Sequence, residues 1–204
     1  KATIDGVWSY VEKGPPAASK AVLTAAPKLK LKDLADRLIP VLQSADPAIR
    51  GLVIDGLSSM DTAKVNKALR GVMDGDREAS LRDKAAGVLS KSKDPAFSTA
   101  AQYHALRSED AKVVTAAATA LGDSKQAEAG TQLLNVLLHK AQEVRLAAIA
   151  SLIKRGDQKQ LVERMSADGT GAEARLDIAR ALAAGKDKSS QYTAWQFLSA
   201  NGPS

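Results

Sequence analysis

Apolar residues recur along this chain at helical spacing, and the whole pattern returns at intervals of about thirty residues. Five segments align without gaps: DPAIRGLVIDGL from Asp46, EASLRDKAAGVL from Glu78, DAKVVTAAATAL from Asp110, AQEVRLAAIASL from Ala141 and GAEARLDIARAL from Gly171. Their starts lie 32, 32, 31 and 30 residues apart. With the first residue of each as position 0, position 3 is Ile49, Leu81, Val113, Val144 and Ala174. Position 7 is Val53, Ala85, Ala117, Ala148 and Ile178, and position 8 is Ile54, Ala86, Ala118, Ile149 and Ala179. Position 11 is leucine in every copy. A set at 3, 7, 8 and 11 shares one face of a 3.6-residue helix, so each segment is predicted to be an amphipathic helix whose stripe must be covered.

A second, less regular apolar pattern separates these segments, as in LKDLADRLIPVL (31–42), AKVNKALRGVM (63–73), TQLLNVLLHK (131–140) and KQLVERM (159–165). Each repeat is therefore read as a pair of helices. Asp46-Pro47 and Asp94-Pro95 place a capping acceptor before a proline at the first helical position, where a missing N–H costs nothing. Gly156, Gly169 and Gly185 fall near predicted helix ends. Since neither helix of a pair can bury its stripe alone, the period requires neighbouring pairs to stack into an array.

Within the second helix, an acidic residue followed by three others and then arginine resembles the HEAT repeat, in its HEAT-like or PBS-lyase-type form. The pattern stands as Asp46/Arg50 and Glu78/Arg82. Arg145 and Arg175 keep the arginine behind Ala141 and Gly171, and the third copy keeps Asp110 but has Val114. The resemblance implies an all-α fold, a right-handed α-solenoid of about five to six antiparallel helix pairs. It covers residues 31–187, with capping helices of a degenerate repeat over 1–30 and a capping helix and tail over 188–204. It also implies that Asp46, Arg50, Glu78, Arg82, Asp110, Arg145 and Arg175 form a structural ladder in which arginines reach acidic groups of a neighbouring repeat. Val114 then marks a gap.

Composition agrees with helices. Alanine is abundant, aromatics are 3% of the chain and apolar residues 45%, a balance suited to close helix packing. Five of the seven aromatic residues stand near the ends: Trp8, Tyr10, Tyr192, Trp195 and Phe197. They are expected to seal the outer faces of the first and last repeats, and Trp8 or Trp195 could alternatively anchor a partner. The apolar stretches, such as AIASLI (148–153), are too short to cross a membrane. The chain opens at Lys1 rather than methionine, so a processed exported protein and a fragment of a longer chain both stay open.

No constellation for catalysis stands out. The absence of cysteine removes disulfides, thiolate zinc sites and cysteine nucleophiles. His104 and His139 lie in different repeats without metal-ligand spacing. Asp74, Asp76 and Glu78 alternate in the manner of calcium ligands, but without an EF-hand register. Gly169-Thr170-Gly171 opens a helix, yet no lysine follows and no strand precedes it. Neither a cofactor nor a metal is expected.

Six lysines against Asp5 and Glu12 in residues 1–32 supply +4 of the chain's net +6, so its basic character is local. Lys28, Lys30 and Lys32 concentrate it, offering a contact for an acidic partner or lipid headgroup if they are more than a solvated approach to a helix. Positions 2, 9 and 13 of the second helices lie opposite the stripe. That row includes Asp55, Lys91, Lys112, Glu143, Lys154, Glu173 and Arg180; its mixed charge and lack of aromatics argue against a nucleic-acid groove. The expected function is a non-catalytic scaffold for a protein or peptide. Candidate contacts are this row, the lysine cluster, Trp8 and Trp195. A bilin-lyase-like or alkyl-base DNA glycosylase-like protein is the alternative from the HEAT-like resemblance, and nucleic-acid binding through the lysine cluster is a second.

Overall fold

A computed structural model describes Trp8, Val11 and residues 15–29 and 33–201. Among these residues the fold is all helical, with twelve α-helices, one 3-10 turn and no strand. The helices are α1 (Pro16–Ala25), α2 (Leu34–Val41), α3 (Pro47–Leu57), α4 (Ala63–Gly75), α5 (Ala79–Leu89) and α6 (Pro95–Ala105). They continue as α7 (Ala111–Leu121), α8 (Ala127–Val136), α9 (Gln142–Arg155), α10 (Gln158–Ser166), α11 (Ala172–Ala183) and α12 (Lys188–Asn201). The chain divides into two compact units, one up to Ala101 and one from Gln102, so the boundary falls inside α6.

Position 0 of every repeat copy is an N-cap, so the five aligned segments become α3, α5, α7, α9 and α11. Asp46 accepts from the Ala48 N–H and Asp110 from the Lys112 N–H, both at 2.8 Å, satisfying donors that the first helical turn leaves without partners. Glu78 caps without a side-chain bond. At its other end α9 stops on Gly156, whose φ of 88° lies in the left-handed region that glycine enters without a Cβ clash.

Packing follows the stripe. Every residue at positions 7, 8 and 11 is buried, and the five leucines at position 11 are at most 2% exposed. In the N-terminal unit α3 packs on α5 and α2 on α4; the core gathers Leu38, Ile54, Leu57, Leu69 and Leu89. In the C-terminal unit α9 packs on both α7 and α11, and its core gathers Leu121, Leu133, Ile149, Leu152 and Ile178. Small residues allow close approach of α7 and α9. A Cβ on Gly122 would stand 3.0 Å from the Ser151 hydroxyl and 3.1 Å from the Thr119 carbonyl.

Three sequence expectations need correction. Val113, assigned to the stripe, is 41% exposed, while Val114 is fully buried. The arginine slot of this copy holds an aliphatic side chain, and residues 114, 117, 118 and 121 form the buried i, i+3, i+4, i+7 set of α7. The helix expected over 131–140 is α8 at Ala127–Val136. Leu137 fills the core from the turn, and the chain must reverse there for α9, leaving Leu138 58% exposed. The apolar pattern also passed over α6, signalled only by Asp94-Pro95; Asp94 caps it through the Ala96 N–H at 2.9 Å.

Replacing Leu121 with alanine should destabilise the C-terminal unit by about 2–5 kcal/mol, whereas Val113→Ser should stay within about 0.5 kcal/mol of the parent. Urea unfolding of the two variants measures both; equal losses would reject the exclusion of Val113 from the core.

Candidate functional site

Four of the five junctions leading into the second helices share one device. Two residues before position 0, a side chain accepts the N-cap N–H: Ser44 from Asp46 at 3.3 Å, Asp76 from Glu78 at 2.9 Å, Ser108 from Asp110 at 3.2 Å, and the His139 Nδ1 from Ala141 at 3.1 Å. In three copies the arginine at position 4 also donates through Nη1 to the two carbonyls just upstream of the cap. Arg50 reaches Ser44 and Ala45 at 2.8 and 3.2 Å, Arg82 reaches Asp76 and Arg77 at 2.8 and 3.3 Å, and Arg145 reaches His139 and Lys140, both at 3.0 Å.

Two of these guanidiniums also bind carboxylates farther along the chain. Arg50 forks onto Asp76 with Nε and Nη2 at 2.8 and 2.9 Å, the side chains only 11% and 6% exposed. Arg145 donates through Nε to Asp177 at 2.8 Å and lies 3.2 Å from Glu173, while Gln142 satisfies the second Asp177 oxygen. The carboxylates so used are Asp76, Asp177 and Glu173, not Asp46, Glu78 or Asp110. Asp46 and Asp110 cap their own helices, and Asp46 lies 3.9 Å from Lys20. Arg175 donates to the Met165 carbonyl at 2.8 Å and lies over the Phe197 ring at 5.0 Å. Asp177 carried a usable signal: it is the only acid at position 6 of the five copies, directly beside stripe residue Ile178.

Positions 2, 9 and 13 of all five second helices are exposed. Several of their charges are already matched: Asp55 with Lys84 at 2.7 Å, Lys154 with Asp123 at 2.6 Å and Glu173 with Arg145. The two solvated pairs, Asp55 with Lys84 and Lys154 with Asp123, contribute about 0–1 kcal/mol each. Lys91, Lys112, Glu143 and Arg180 make no ion pair among the described residues.

The two tryptophans differ. Trp8 is 7% exposed with the Arg37 guanidinium 5.8 Å from its ring, whereas Trp195 is 60% exposed on α12 beside Tyr192 at 67%. Lys28 is exposed, and Lys30 and Lys32 lie outside the described residues. Of the acids read as a calcium-like run, Asp74 pairs with Arg70 at 2.6 Å and Asp76 with Arg50. Among the described residues no three His, Asp or Glu side chains converge as metal ligands, and no helix is long and apolar enough to cross a membrane. The Thr170 hydroxyl is buried, and Glu173 adds negative charge to the first turn of α11, where an anion would have to sit.

A concavity that the sequence pattern did not reveal lies in the N-terminal unit. It is a trough of about 930 Å³ over α4, bounded by the end of α2 and the junctions before α3 and α5. Arg50 and Asp76 lie in its wall, and none of the outward positions of the second helices lines it. No model of a known protein family matches this chain, and no curated protein matches it.

The Arg50 hydrogen bond, then the Glu78 N–H and the charge of that guanidinium, outweigh burial and hold the Asp76 carboxyl below its ordinary value of 3.8. A depressed carboxylate contributes stability that is complete above pH 3.8 and drains away as pH falls through its folded value. Asp76→Ala should therefore cost about 3–5 kcal/mol at neutral pH by leaving Arg50 buried and unpaired. Urea titrations at pH 7 and in acid, below 3.8, should show the gap to the parent closing on acidification; a constant gap would refute this role for the pair.

Proposed function

We propose that the chain is a non-catalytic scaffold, an α-solenoid of HEAT-like repeats that holds a protein or peptide partner. What carries this reading is the division of labour among its recurring residues. The stripe at positions 7, 8 and 11 is buried, and three of the four position-4 arginines, Arg50, Arg82 and Arg145, are spent on junction carbonyls. What recurs therefore maintains packing, while positions 2, 9 and 13 are exposed and vary in sign and size from copy to copy. An array built this way presents a broad, chemically mixed surface, which suits a polypeptide better than the uniform charge of a nucleic-acid backbone. The contacts of α3 with α5, and of α7 with α9 and α9 with α11, support the stacking that the solenoid reading needs within each unit.

The chain has no cysteine, so one introduced at Ser59, Ser80 or Thr119 is a unique attachment point for a photo-cross-linker. The expected outcome is a discrete adduct with the same polypeptide in repeated preparations from source cells. No adduct from any position, together with turnover of a bilin or an alkylated duplex by the purified protein, would reverse the reading.

A further inference from the structure

Resting on the protein-binding reading above, we propose that the trough over α4 is the docking site for a short partner segment bearing carboxylates beside aliphatic side chains. Its form comes first. The wall runs along α4 from Lys64 to Gly75, about 16 Å at 1.5 Å per residue, so the trough is elongated like a few residues of peptide. It offers about 930 Å³ and is open to solvent along its length. Gly71 and Gly75 face it with nothing within 4 Å of where a Cβ would stand, which leaves the α4 backbone open to close approach by another chain.

Its chemistry fixes the occupant. Ile39, Leu42, Ala68 and Val72 supply the apolar floor. The rim is cationic: Lys67 and Arg77 are exposed and make no ion pair among the described residues, and Lys64 shares its charge only with the exposed Asp36. The remaining guanidinium, Arg50, is neutralised by Asp76 inside the wall. Glu78 stands next to Arg77 and weakens the positive potential at that end, so the carboxylate contact belongs at the Lys64 and Lys67 end. Aliphatic side chains then descend onto Leu42 and Val72. A basic segment would meet like charge there, and a purely anionic polymer would leave the floor uncovered.

The experiment selects short random peptides displayed on phage against the full chain and measures the enriched peptides by fluorescence anisotropy. The expected consensus joins Asp or Glu to Leu, Ile or Val. Its binding should weaken with salt, fall about tenfold in Lys67→Glu, and vanish in Gly71→Trp, whose indole occupies the open space. Both sites are exposed, so thermal unfolding of these variants should match the parent; Lys67→Ala provides a second, milder variant if it does not. Peptides that bind Gly71→Trp unchanged but lose affinity in Lys91→Glu or Lys112→Glu would overturn the trough and leave the scaffold reading intact. A basic or uncharged consensus would overturn it as well. Binding of an oligonucleotide or an anionic vesicle through Lys67, with no acidic peptide enriched, would replace the proposed partner class, and no enrichment at all would count against both readings.

Discussion

The clamp of an arginine on the junction ahead of its own helix is the interaction on which the rest of this structure depends. A short turn feeding a helix leaves carbonyls facing inward and the first N–H groups unpartnered, and burying either without a hydrogen bond is costly. Here the N-cap N–H goes to a side chain two residues upstream, and the carbonyls beside that residue go to the guanidinium four residues downstream of the cap. The upstream side chain thus serves the N–H, and the planar fork serves the carbonyls. That fork has donors left over, and in Arg50 and Arg145 they reach carboxylates that belong to the following repeat. Local capping thereby becomes a link between second helices.

The copies that depart from the device show what it does. At Val114 the guanidinium is gone and an aliphatic side chain fills the buried slot, while Val113 is exposed. In the neighbouring junction a different arginine intervenes: Arg155, from the end of α9, donates to the Ser124 and Gln126 carbonyls and pairs with Asp157 at 2.9 Å. In the N-terminal unit a polar relay takes a comparable part. Asp61 receives Asn66, Ser92 and the Lys93 N–H, and these donors, led by Asn66, draw its carboxyl below the ordinary value. Such networks fix where one pair sits on the next, because a shift of either helix would leave buried donors unmet.

With packing residues and clamps accounted for, what remains for recognition is surface that does not repeat. The outward rows of the second helices offer mixed charge, part of it already paired. The trough over α4 is different in kind, since it combines concavity, bare backbone, apolar side chains and unmatched cations in one place. Its location follows from the clamp: Arg50 and Asp76 hold the junctions that bound it.

By itself the sequence determined the helices and their inner faces, because a buried face demands an apolar residue every three or four positions and a cap demands a particular side chain at its start. Position 0 of all five copies became an N-cap, and the outward rows stood where the helical period put them. Local chemistry sufficed for this, and it failed where tertiary packing overrode it, at Val113 and at the end of α8. The carboxylates that meet Arg50 and Arg145, the burial of Trp8 against the exposure of Trp195, and the trough were decided only by the tertiary structure. An ion pair between residues 26 or 32 apart, or a recess walled by two helices and two turns, depends on distances through space, and these exist only once the helices have packed.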